Sequence, residues 1–296
     1  MEAGSVVERT DGRPGPQGDE LRAHLHGMWA AVAPAWSEHA AYADTRGAEV
    51  AETMLGLATP AAGDRVLELA CGPGGLGLAA AARVAPGGRV VLSDVAAEMT
   101  AIASARADAA GLTNVSTCVL DLERIEQPAD AYDVVLCREG LMFATDPARA
   151  ASEIRRVLRP GGRVALAVWG PRERNPWLGL VFDAVSAQLG RPVPPPGIPG
   201  PFSLGDSDRL AGLLSAAGLA DVTVSELSVP LRAGSFEEWW VRTSALAGPL
   251  AKVLTSLPEP AKQALRTHLH EATSAYRTPA GLEFPGVSLI AAARRA

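Results

Sequence analysis

The chain has 296 residues, a formal charge of −6, and 48% hydrophobic against 20% charged residues. That is enough apolar material for one large or two small cores, and it excludes disorder over the whole length. With no basic surplus to neutralise phosphates, nucleic acid is not an expected partner. No apolar stretch approaches the roughly 20 residues of a bilayer span, and the N-terminus lacks the apolar core of a signal peptide, so a soluble, cytoplasmic protein is expected.

Residues 1–20, which include Thr10-Asp-Gly-Arg-Pro-Gly-Pro-Gln-Gly-Asp19, show no apolar period and are expected to form a disordered tail. From residue 21, Leu25, Met28, Trp29, Val32 and Trp36 recur at helical spacing, with Pro34 as a kink or boundary. Val50, Met54 and Leu57 continue in a second helix, so residues 21–58 are expected to be a helical lid. Between 59 and 170 the pattern changes to short β-rich runs at 65–69, 89–93, 115–119, 132–137 and 163–169. Helical stretches at 76–84, 96–109 and 147–158 separate them at the length of right-handed crossovers. Such β-α units predict a doubly wound sheet covered on both faces.

Residues 171–296 are expected to complete the sheet and to carry the acceptor-binding insertions. A helix is placed around Trp177, Leu180, Val181 and Val185, followed by a Pro-rich loop at 192–201 that excludes regular helix or central strand. Asp206 is expected to cap a helix reaching Leu214. Strands at 222–229 and 287–293 flank helices at 236–246 and 261–275. Cys71, Cys118 and Cys137 form neither an even disulfide set nor a C-x-x-C knuckle and lie in or beside apolar runs, so they are expected to be buried thiols.

The most informative segment is Val66-Leu-Glu-Leu-Ala-Cys-Gly-Pro-Gly-Gly-Leu-Gly77, a buried strand feeding a glycine-rich turn and then a helix. Gly72, Gly74 and Gly77 match G-x-G-x-x-G, a turn that lets a nucleotide approach the backbone closely. Asp94 follows 22 residues after Gly72, at the end of the second strand, where a carboxylate accepts the ribose hydroxyl protons of an adenosine. Dinucleotide enzymes and enzymes that use S-adenosylmethionine share this arrangement. Glu68, four residues before Gly72, separates them. A diphosphate would be repelled there, whereas a sulfonium and an ammonium would be attracted. The bland alternative is that Glu68 pairs with Arg65 or Arg89.

Together with Val91-Leu-Ser-Asp-Val95, Asp121-Leu122, Tyr132-Asp-Val-Val-Leu-Cys137 and Arg156-Val-Leu-Arg-Pro-Gly-Gly-Arg163, these motifs resemble the ordered motifs of class I S-adenosylmethionine-dependent methyltransferases, and more narrowly the UbiE-like small-molecule group. The resemblance covers residues 46–170 strongly and the remainder weakly. It implies an α/β, Rossmann-like, mostly parallel sheet with an antiparallel last strand, N-terminal helices, a helical substrate-binding insertion, and S-adenosyl-L-methionine as cofactor. It further implies that Glu68, Ala70, Cys71, Gly72 and Gly74 surround the methionine moiety. Asp94 and Val95 would lie at the ribose, Met99 near the adenine, and Asp121 with Leu122 at the adenine edge. Ala70 stands where a glycine is commoner.

Arg138, Glu139 and Phe143 follow the fourth strand, where the transferring methyl should sit; they read as pocket wall, with Arg138 also in the cofactor-binding set. Trp29 and Trp36 lie seven residues apart on one helical face and pack either over the cofactor or into the core; Trp36 is included in the cofactor-binding set. His39, three residues after Trp36, and Glu139 are candidate general bases, with His39 preferred for its unperturbed pKa near 6.5. His24/His26 and His268/His270 are i,i+2 pairs that point apart on helices, so metal binding is not expected. Trp239, Trp240, Tyr276 and Phe284 could line an apolar cavity or form plain core.

The resulting expectation is methyl transfer from S-adenosylmethionine to oxygen, carbon or nitrogen of a small, apolar or aromatic metabolite. A nicotinamide-dependent oxidoreductase and an S-adenosylmethionine-binding protein without transfer activity are the alternatives. Monomer and homodimer are both left open.

Overall fold

The computed structural model describes residues 16–296. The proposed tail therefore lies outside the described residues from 1 to 15, while 16–20 are helical and open α1 (Pro16–Glu38). Pro34 lies inside that helix and does not end it. Val32 and Ala33, together with Ala96 and Met99, form a small buried cluster that anchors the helix around the proline. Two further helices, α2 (Ala40–Arg46) and α3 (Ala48–Ala58), complete the N-terminal part.

The central sheet begins with β1 (Arg65–Glu68), α4 (Gly75–Val84), β2 (Arg89–Asp94), α5 (Ala97–Ala109) and β3 (Val115–Val119). It continues with β4 (Tyr132–Arg138), α6 (Pro147–Val157) and β5 (Leu158–Trp169). The remainder comprises α7 (Pro176–Leu189), α8 (Ser207–Ala216), β6 (Ala220–Ser228), β7 (Leu231–Ala233), α9 (Phe236–Leu246), α10 (Pro249–Ser256), α11 (Glu259–Ala272), β8 (Arg277–Thr278), β9 (Gly281–Phe284) and β10 (Val287–Arg294). Seven strands form one sheet in the order β3-β2-β1-β4-β5-β10-β6. Pairings from β3 through β5 are parallel, and β10 runs antiparallel to both β5 and β6.

Buried runs such as Val66–Leu67 and Val134–Cys137 are what a parallel sheet covered on both faces requires. The chain moves outward from β1 to β3 and then returns to β4 on the other side. A crevice therefore opens between the carboxyl ends of β1 and β4, the place where open α/β sheets bind ligands. No described helix is long and apolar enough to cross a membrane.

The expected strands and crossovers appear within a few residues of their predicted limits, apart from β5, which begins at Leu158 instead of residue 163. Residues 192–201 contain no helix or strand, and the Asp206 carboxylate accepts the Arg209 N–H at 2.7 Å as the cap of α8. The sequence reading lacked a second sheet, β7-β9-β8, because its strands of two to four residues carry too little alternation to register. Trp239 packs against Phe284 in the core beside this small sheet, with ring centroids 5.2 Å apart.

One buried polar side chain joins the distal parts of the sheet. The Asn175 amide, fully buried, donates to the carbonyls of Val287 at 3.0 Å, Pro171 at 3.1 Å and Gly170 at 3.3 Å. Its oxygen accepts the Val287 N–H at 3.0 Å and Trp177 Nε1 at 3.2 Å. It thereby ties the end of β5, the start of β10 and the start of α7. Replacing Asn175 with Ala leaves several buried groups unpaired, each at about 1–3 kcal/mol. The expected loss is about 2–4 kcal/mol, read as a lower denaturant midpoint at unchanged slope. An unchanged midpoint would show that water replaces the amide.

Candidate functional site

At the carboxyl edge of the sheet lies a deep cavity reached by residues from every parallel strand. Glu68 ends β1, Asp94 ends β2, Asp121 and Leu122 follow β3, Arg138 and Glu139 end β4, and Trp169 ends β5; all of them line the cavity.

The glycine-rich turn owes its shape to three different constraints. Gly72 and Gly74 adopt φ of +52° and +86°, a left-handed conformation that side chains resist. Gly77 has an ordinary φ, but a Cβ there would strike Leu92 and the Glu68 carboxylate, so α4 could not seat against the sheet. Ala70 also holds a positive φ, +51°, at the site where a glycine is commoner. Its methyl faces Gly140, which has no room for a Cβ of its own. The turn forms nonetheless, carrying about 1–2 kcal/mol of backbone strain.

Two carboxylates reach the interior at this turn. Glu68 is 1% exposed, and its Oε2 accepts the Gly77 N–H at 2.8 Å. Burial pushes its carboxyl up to about 8, against the opposing pull of Arg138 and of the Gly77 N–H. No ion pair with Arg65 or Arg89 forms. Asp94 accepts the Gly72 N–H at 2.9 Å and the Ala96 N–H at 3.0 Å, so it joins the first loop to the second. Burial raises it too, and those backbone donors oppose the rise.

The N-terminal helices close over this edge through named contacts. Arg22 reaches Asp121 at 3.4 Å and Glu123 at 2.7 Å, while Glu123 also receives the Thr145 hydroxyl at 2.8 Å. Arg106 donates to the Pro73 carbonyl at 2.6 Å and pairs with Asp44 of α2. Gly75 is needed where Asp44 approaches, because a Cβ would collide with that carboxylate. Trp29 meets Phe143 edge-on at 4.9 Å. Trp36 lines the cavity separately, with its buried Nε1 unpartnered. Both indoles pack against the buried cluster of Val32, Ala33, Ala96 and Met99, and both line the cavity.

Of the residues singled out from sequence, Trp36, Glu68, Ala70, Cys71, Gly72, Asp94, Val95, Met99, Asp121, Leu122, Arg138 and Glu139 all line this cavity. Gly74 does not; it shapes the turn from behind, against Ala103 and Leu92. His39 is also absent from the wall. It stands at the junction between α1 and α2, where its N–H still donates to the Ala35 carbonyl at 3.0 Å. Trp239, Trp240, Tyr276 and Phe284 line no part of it either; they pack as core.

Glu139 stands at φ +58°, an uncommon conformation for a glutamate, with its N–H donated to the Ala167 carbonyl at 2.7 Å. Burial raises its carboxyl above the usual range, opposed by the nearby charges of Arg138 and Arg46. Sequence reasoning missed Arg46, Trp169 and Trp177. Trp169 could have been found as the last residue of a parallel strand. Nothing local distinguishes Arg46 from an ordinary arginine at a helix end. Replacing Ala70 with Gly is expected to raise stability by up to about 1 kcal/mol, since strain relieved exceeds chain entropy added. A lower melting temperature would place the positive φ among stabilising features.

A family model described as a methyltransferase domain matches residues 66–162. The chain is 31% identical over 226 residues to nocamycin O-methyltransferase of Saccharothrix syringae, covering 73% of this chain and 79% of that enzyme. It is 37% identical over 130 residues to the ubiquinone/menaquinone biosynthesis C-methyltransferase UbiE of Ralstonia nicotianae, 40% of this chain and 53% of that protein. Among solved structures, the YcgJ protein of Bacillus subtilis superposes with a TM-score of 0.59 at 20% identity, covering 83% of this chain and 97% of that one. Phosphoethanolamine N-methyltransferase 2 of Haemonchus contortus, in complex with S-adenosyl-L-methionine, gives 0.54 at 19% identity over 84% and 53%. At these identities the structural likeness concerns the fold.

Proposed function

Because the chain belongs to the class I S-adenosylmethionine-dependent methyltransferases, we propose that it methylates an oxygen of a small, flat, apolar metabolite and that Glu139 accepts the proton released. The residues present suit the cofactor. Two desolvated carboxylates, Glu68 and Asp94, flank a glycine turn open to a nucleoside, and their charge favours a cationic ligand over a diphosphate. Asp94 would hold the ribose, Asp121 and Leu122 the adenine edge, and Glu68 with Arg138 the methionine end. When bound, S-adenosylmethionine supplies a methyl group already activated by its sulfonium.

The chain's own work is then alignment, desolvation and proton removal. Trp29, Phe143, Trp169 and Trp177 form an aromatic wall that excludes water and favours a planar acceptor. Arg22, Asp44 and Arg106 hold the N-terminal helices over the site.

The observation that carries the choice of oxygen is Glu139. Its strained backbone places a carboxyl, raised above its usual range by burial, in the cavity beside the end of β4. A raised carboxyl is better matched to an acidic hydroxyl or enol than an ordinary solvated one. Similarity to nocamycin O-methyltransferase supports the same reading, and a place in the tailoring of a natural product.

The test is to find the acceptor by screening metabolite extracts with methyl-labelled S-adenosylmethionine, and then to compare variants. Glu139→Gln should lower kcat by about 10²–10⁴ while leaving cofactor affinity nearly intact. His39→Asn should change neither. An unaltered kcat in the Glu139 variant would show that alignment alone suffices, and labelling at carbon or nitrogen would refute transfer to oxygen.

A further inference from the structure

Four arginines line the cavity among the described residues: Arg22, Arg46, Arg138 and Arg242. Arg22 is paired with Glu123 at 2.7 Å and Arg242 with Glu238 at 2.5 Å. Arg138 faces Glu68, and its Nη1 donates to the Gly47 carbonyl at 3.5 Å. Arg46 differs from all three. Its Nε and Nη2 are sealed from solvent without a hydrogen-bond partner, and no ion pair engages the guanidinium. Instead Cζ lies 4.1 Å from the centre of the Trp177 ring and 4.7 Å from that of Trp169. Those rings meet edge-on at 5.1 Å and form a corner around the cation. Nη1 is the guanidinium nitrogen that is not sealed.

A desolvated guanidinium with no anion in contact is unfavourable, so the bound state should supply one. The charged groups around it do not. Glu139 attracts Arg46 from a distance but forms no ion pair with it, and Arg138 adds like charge.

We propose that Arg46 is an acceptor-recognition residue, and that its guanidinium, held in the Trp169–Trp177 corner, selects an acceptor bearing a carboxylate on a flat apolar frame. This rests on the methyl-transfer reading above. The position in the sheet argues for the acceptor over the cofactor. Residues suited to the adenosyl group end β3, β2 and β1, whereas Trp169 ends β5, two strands beyond Glu68, or roughly 10 Å at the usual strand spacing. Arg138, beside Glu68, is the arginine placed for a methionine carboxylate.

The experiment is calorimetric titration of 2-naphthoate, and of its neutral counterpart 2-naphthamide, into the full-length protein saturated with S-adenosylhomocysteine. The parent protein should prefer the naphthoate by about 10- to 100-fold, the contribution of a hydrogen-bonded charge. Arg46→Met keeps a long side chain against the indoles and should abolish the preference, while Arg46→Lys should retain part of it. Affinity for S-adenosylhomocysteine should change less than about twofold in either variant. Equal binding of the two probes to the parent, or no binding of naphthoate, would overturn the proposal. So would a loss of S-adenosylhomocysteine affinity in Arg46→Met, with Arg46→Lys restoring it, because the arginine would then serve the cofactor. Failure of the parent to bind S-adenosylhomocysteine at all would instead refute the methyl-transfer reading itself.

Discussion

Glu68 and Asp94 are carried into the interior at the carboxyl ends of adjacent parallel strands, and much of the local architecture keeps them there. Each carboxylate is held by backbone N–H groups, Gly77 for one and Gly72 with Ala96 for the other, and among the described residues no basic side chain makes an ion pair with either. The Ser93 hydroxyl donates to the Glu68 carbonyl at 2.8 Å, and the Cys71 N–H to the Ser93 carbonyl at 2.8 Å, so the two strand ends are fastened to one another. Two desolvated acids lacking a cation in contact are costly in the ligand-free protein. On the proposed reading, the same arrangement favours a ligand that brings positive charge.

The opposite side of the cavity follows another logic. Its walls are indole and phenyl rings, and its shape depends on segments distant in sequence: α1 contributes Trp29, the end of β5 Trp169, and the start of α7 Trp177. Asn175 fixes Trp177 through its indole N–H and simultaneously binds β10, so this aromatic wall depends on the antiparallel end of the sheet. A change in the sheet's last strand can therefore reach the aromatic wall without touching Glu68 or Asp94.

The acidic side of the cavity was legible in sequence because Glu68, Asp94 and Asp121 sit at or within two positions of a strand end, and strand ends announce themselves by buried runs followed by glycine or acid. Gly72, Asp94 and Asp121 could be placed this way without knowledge of any long-range contact. The aromatic side was not legible. Arg46 becomes distinctive only when Trp169 and Trp177, more than a hundred residues later, fold around it. The short strands of the second sheet carried too few residues for a period to emerge.

On the proposed reading, Glu68 waits in the interior as a raised acid for a cationic ligand. The most direct test is calorimetric titration of S-adenosylmethionine in buffers of different ionisation heat at pH 7. An acid with a pKa of about 8 is mostly protonated there, and a cation beside it lowers the pKa and expels the proton. Roughly one proton should be released on binding to the parent protein, and affinity should rise with pH until about 8. In Glu68→Gln that release should vanish, with weaker binding. Binding without proton release, or equal release by the parent and the Gln variant, would contradict the account.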